Sequence, residues 1–101
     1  MRAGEGDGWR PELEPYLALL DAFVRGELEA DHLETRYLRM YLGDDRDWPA
    51  PFFDVLDGFF YDVDAYVPEA RLLVVRDSID GDELRRRAAM TLEALRRLLA
   101  T

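Results

Sequence analysis

The chain has 101 residues, 49% of them apolar, and no cysteine; it is long enough for one ordinary core and excludes disulfides, thiol nucleophiles and the usual zinc frameworks. Its formal net charge is -9 and every cation is an arginine. Such a body repels nucleic acid and anionic lipid, both of which are bound through clustered positive charge.

The first stretch, residues 1-10, is glycine-rich and charged and is expected to be a flexible N-terminal segment ahead of a single helical domain over residues 11-101. No apolar block follows it, and no apolar run approaches the roughly 20 residues of a membrane helix, so a cytoplasmic location is expected. Four stretches then repeat apolar residues at helical spacing. The first spans about Glu12 to Arg25, with Leu13, Leu17, Leu20 and Val24 on one stripe, prolines near its start and Gly26 as its stop. The second spans about Ala30 to Leu42, with Leu33, Tyr37, Met40 and Tyr41 facing inward and Gly43 ending it. The third starts after Trp48-Pro49-Ala50-Pro51, because proline is tolerated in a first turn. Phe52, Leu56, Phe59 and Val63 set its stripe, and it ends near Asp64 to Tyr66, before Pro68. Leu72-Leu73-Val74-Val75 reads as a loop laid over one end. The last helix opens at Asp80, with Glu83 three residues on in a pattern close to a capping box, and buries Leu84, Ala88, Leu92, Leu95 and Leu99. The expected fold is all-α, a compact antiparallel four-helix bundle with short connections.

Catalytic chemistry finds little footing. His32 is the one histidine and Ser78 the one serine; neither has the partner that a general base, metal ligand or nucleophile needs, so they read as a helix-surface and a turn residue. The glycines never form a phosphate-cradling loop. Asp77 to Glu83 lacks the ligand spacing of a calcium loop. Asp62 and Asp64 converge on a cation only if the helix ends between them, being two apart. No enzyme activity, metal or cofactor is expected.

The informative segment is acidic. Gly43 to Glu69 holds eight carboxylates, Asp44, Asp45, Asp47, Asp54, Asp57, Asp62, Asp64 and Glu69, against Arg46 alone, whereas residues 70-101 carry five acids and seven arginines. A merely solvated helix face is normally salted with cations at i,i+4, and the third helix has none. Asp62 and Asp64 also crowd its C-terminal end, where the helix dipole disfavours anions. This local conflict points to a surface for docking a basic partner, with Tyr61 and Tyr66 as aromatic anchors.

The runs Leu17-Ala18-Leu19-Leu20-Asp21-Ala22-Phe23, Leu33-Glu34-Thr35-Arg36-Tyr37-Leu38, Phe59-Phe60-Tyr61-Asp62-Val63-Asp64-Ala65-Tyr66-Val67-Pro68 and Asp77-Ser78-Ile79-Asp80-Gly81-Asp82-Glu83-Leu84-Arg85 resemble the colicin D-type family of bacterial self-protective, colicin-like immunity proteins. The likeness covers about Leu13 to Leu99, and Asp-Val-Asp-Ala-Tyr is its most specific part. It implies a small four-helix bundle that binds a toxin's tRNA-cleaving domain and blocks its active site with acidic groups in place of tRNA phosphates. Carried over by position, Asp62 and Asp64 are the central anions, with Asp54 and Asp57 as neighbours. Asp44, Asp45 and Asp47 have no counterpart in the family pattern, and Val67 stands where many relatives are expected to carry cysteine. A competing reading is a helical structural or regulatory subunit that associates through an apolar face, with Phe53, Phe60 and Leu73 as the patch.

Overall fold

Each apolar stripe becomes one buried helix face. The computed structural model describes residues 8-67 and 78-100, and in them α1 is Arg10–Val24, α2 Ala30–Leu42, α3 Ala50–Ala65 and α4 Gly81–Leu99. α1 starts two residues before the position expected from the pattern. Pro11 sits in its first turn, where its missing N–H is no loss, and the backbone N–H of Leu13 reaches the Trp9 carbonyl at 3.0 Å. Pro15 lies inside the helix and simply leaves one carbonyl of the first turn without its intrahelical donor. At the other end Gly26 takes φ +81°, and the N–H groups of Gly26 and Glu27 return to the carbonyls of Phe23 and Ala22 at 3.1 and 2.9 Å. That paired closure is a Schellman motif, which needs a residue at ease in the left-handed region.

α2 has the expected limits, and α3 runs from Ala50 to Ala65 behind Pro49. Asp80 caps α4: its carboxylate accepts the N–H of Glu83 at 2.8 Å. The Glu83 side chain does not reach back to close the box; it turns to Arg86 and Arg87.

α2 and α4 each pack against both α1 and α3, so the four helices form a ring around one core, an all-α four-helix bundle. Leu13, Tyr16, Leu20 and Phe23 of α1 meet Leu33 and Tyr37 of α2, Leu56, Phe59 and Val63 of α3, and Leu84, Ala88 and Leu95 of α4. Each such large side chain contributes about 1.5–3 kcal/mol of burial free energy. The Tyr37 hydroxyl, deep in that core, donates to the Leu56 carbonyl at 2.7 Å, and no buried side-chain nitrogen or oxygen among the described residues lacks a partner.

The ends are distinct. At one, Trp9, Tyr16 and Phe52 gather around Trp48, with the two indole centroids 4.8 Å apart. At the other, Arg85 of α4 lays its guanidinium 4.4 Å over the Phe23 ring and donates to the carbonyls of Phe23 and Leu28. There the chain leaving α3 meets the chain starting α4 in a parallel bridge, Tyr66 with Ile79, through Val67 N–H to Ile79 O at 3.1 Å and Ile79 N–H to Ala65 O at 3.0 Å. The expected apolar loop at Leu72-Val75 lies outside the described residues, as do most of residues 1-10.

Candidate functional site

α3 presents a continuous outward side because its buried residues, Phe52, Leu56, Phe59 and Val63, occupy one narrow stripe. At about 100° per residue, Phe53, Asp57 and Asp64 and then Tyr61 and Asp54 fall within an arc of roughly 100° opposite that stripe. Asp54 and Asp64 are exposed, Tyr61 is 63% exposed and Phe53 47%. Asp57 is half-buried at the α2 edge, where it accepts the Tyr41 hydroxyl at 2.8 Å. Burial, that hydrogen bond and the Asp57 charge push the Tyr41 phenol well above its ordinary pKa, so it stays a donor. The Tyr41 ring lies 5.3 Å from Phe60, and Phe60 packs edge-on to Tyr61 at 5.4 Å. The outward side therefore combines one carboxylate held in place, Asp57, with two exposed ones and with packed aromatic rings.

Asp62 belongs elsewhere. Because α3 continues through Ala65, Asp62 and Asp64 point about 200° apart and do not converge. Asp62 faces α4, where Arg87 donates to it at 2.9 Å and to Glu83 at 2.8 Å. This corrects the expectation that the anions at the end of α3 are uncompensated. α3 itself has no cation, but α4 supplies one across the interface, 25 positions later. Glu83, gripped by Arg86 and Arg87, has its carboxyl held down at about 2, and both guanidiniums are shifted up in turn.

Two further residues expected at the surface are internal contacts. Tyr66 is 8% exposed, and its hydroxyl donates to Asp31 at 2.6 Å, tying the end of α3 to the start of α2. Burial first, then Asp31 with the charges of Glu34 and Glu29, pushes this phenol up to about 12. The Asp44 carboxylate, 3% exposed, is a hub. Tyr16 OH donates at 2.7 Å, Trp48 Nε1 at 3.0 Å, and Arg46 through its backbone N–H at 2.9 Å and its guanidinium at 3.1 Å. Burial alone disfavours its charge, yet these donors hold the carboxyl below its ordinary pKa. Asp44 thus fastens the α2–α3 loop, while Asp45 and Asp47 in that loop are exposed. Glu69 lies outside the described residues.

The structure brings together Asp54, Asp57, Tyr61 and Asp64 and leaves Asp62, Tyr66 and Asp44 to structural tasks. Sequence reading missed Tyr41, Phe53 as part of the acidic side, and Arg87. Phe53 was legible from its offset to Asp57; the other two are contacts between helices, which spacing along one helix does not reveal. His32 is exposed, and among the described residues no group of three or more histidines or carboxylates is arranged to hold a metal ion. Nor is any described helix long and apolar enough to cross a membrane. No curated protein and no solved structure matches the chain. Residues 12–95, most of the chain, match the family described as bacterial self-protective colicin-like immunity, and the chain therefore belongs to that family of immunity proteins.

Proposed function

We propose that this immunity protein neutralises a cognate toxin nuclease of the tRNA-cleaving kind by covering its basic cleft with the outward side of α3, and that it does so without catalysis. A nuclease that handles RNA presents Lys and Arg to phosphate oxygens. Asp54, Asp57 and Asp64 offer carboxylates to the same donors, as charge-assisted hydrogen bonds. The observation that carries this reading is their placement on one exposed side of a helix with no cation of its own. Tyr61 and Phe53 beside them supply the rigid apolar area that slows dissociation. Asp45 and Asp47 extend the negative field at the approach to α3 and act mainly on the encounter. Asp62 contributes less, because Arg87 already neutralises it.

The test is the double reversal Asp54→Lys/Asp64→Lys, since both side chains are exposed and neither supports the fold. Binding is measured by stopped-flow and calorimetry against the nuclease domain of the cognate toxin, with tRNA cleavage as the functional readout. The association rate is expected to fall at least ~10-fold at low salt, with the far-UV CD spectrum unchanged. Full protection of tRNA by the reversed protein, at unchanged rates, refutes the proposal.

A further inference from the structure

Gly58 sits in the middle of α3, where glycine is a poor choice. It exposes backbone and gives up more conformational entropy on folding than alanine does. Such a residue is usually explained by a neighbour that leaves no room for a methyl group. Here a Cβ built on Gly58 meets nothing within 4 Å, and no positive φ requires glycine. The fold accepts alanine at this position and would gain from it. Nothing inside the described fold calls for glycine here.

What lies over Gly58 is a groove of about 360 Å3 between α3 and α4. Its floor is apolar, made by Val55, Phe59, Ala94 and Met90, the last 59% exposed. Its rim is charged, with Asp54 and Asp62 one turn to either side of Gly58 on α3 and Arg86 and Arg87 on α4. Arg87 already binds Asp62 and shares Glu83 with Arg86, whereas Asp54 forms no ion pair among the described residues. We infer that this groove is a second contact point for the toxin: a loop of the toxin seats one apolar side chain against Gly58 and Met90, and a basic residue next to it pairs with Asp54. An unbranched thioether such as Met90 adapts to an incoming side chain. The absent Cβ lets the partner's backbone approach α3 closely. The Asp54 carboxylate at the rim selects a cationic neighbour over an acidic one. The inference rests on the reading that the partner is the toxin, and adds a specific apolar insertion to a largely electrostatic surface.

Gly58→Ala and Gly58→Trp test it, with the same toxin nuclease domain as probe. Gly58→Ala is expected to melt higher by about 4 °C, as an exposed mid-helix glycine replaced by alanine should, yet to bind the toxin ~3–10-fold more weakly. Gly58→Trp, which fills the groove, is expected to keep the helical CD spectrum and lose at least ~100-fold in affinity. If the tryptophan variant fails to fold, Gly58→Gln takes its place with an expected loss of at least ~10-fold. A lower melting temperature for Gly58→Ala overturns the premise that the fold does not need glycine, and undiminished binding by the groove-filling variant overturns the contact. The single reversal Asp64→Lys, on the exposed side of α3 and outside the groove, separates the two ideas. Loss of binding there with none in Gly58→Trp leaves the acidic face standing and removes the groove; the opposite pattern keeps the groove and removes phosphate mimicry.

Discussion

Replacing Asp44 by alanine is the sharpest probe of how the α2–α3 connection is held. The carboxylate accepts four hydrogen bonds, and one donor, the Tyr16 hydroxyl, belongs to a side chain only 1% exposed. In Asp44→Ala that hydroxyl is stranded away from water, which costs about 1–3 kcal/mol. Trp48 is half-buried and Arg46 exposed, so their donors find water and lose only the net worth of a hydrogen bond each, about 0.5–1.5 kcal/mol. Taken at the low end of these ranges the four bonds together are worth ~3 kcal/mol, a large share of the ~5–15 kcal/mol of a typical domain, which lowers Tm by roughly 12–24 °C. Urea denaturation followed by far-UV CD measures it. Tyr16→Phe on its own should be milder, about 1 kcal/mol, because Asp44 keeps its other donors. In the Asp44→Ala background the same change removes the orphaned hydroxyl and should cost nothing or restore stability, giving a coupling of at least ~1 kcal/mol. The linkage has a definite sign. A carboxyl whose pKa is lowered on folding stabilises the protein above its unfolded value, 3.8, and that contribution is lost as pH falls through the lower folded value. The stability difference between parent and Asp44→Ala should therefore shrink in acid below about pH 4. Additive effects of Asp44→Ala and Tyr16→Phe, or a loss under ~1 kcal/mol for the alanine variant, refute the hub.

Alkali should unfold the protein through its phenols: Tyr16, Tyr37, Tyr41 and Tyr66 are all shifted up by burial, Tyr66 to about 12 from 10.0. A raised pKa means stability that is complete below pH 10 and drains away as pH rises toward 12, so loss of CD at 222 nm should accompany the tyrosinate absorbance at 295 nm. Gly26→Ala forces a left-handed φ of +81° on an L side chain and should destabilise by about 1–2 kcal/mol in thermal melts, opposite in sign to Gly58→Ala.

The helices were legible because they are local. Leu33 and Tyr37 fix α2, and Phe52, Leu56, Phe59 and Val63 fix α3, through spacings that no distant residue alters. Gly26 and Asp80 announced their turns for the same reason: the bonds that close each turn lie within a few residues of it. The site was half legible. Asp54, Asp57 and Asp64 share a side of α3 by helical phase alone, so sequence sufficed. Asp62, Asp44 and Tyr66 looked equivalent to them by charge and ring chemistry, yet their fates are decided by Arg87, Tyr16 and Asp31, which are 25, 28 and 35 positions away. No periodicity encodes a meeting between helices at that separation.

The chain has only two tryptophans, and they pack against each other, tilted by 35°, at the end of the bundle where α3 begins, far from the Tyr66–Asp31 clasp. Its native ultraviolet emission is therefore a lamp fixed to one pole of the molecule. A partner whose footprint covers the Ala50 end should recolour that light, while one centred near Ala65 should leave it untouched. The bearing of the bound toxin along α3 can thus be found by fluorescence titration with no dye attached.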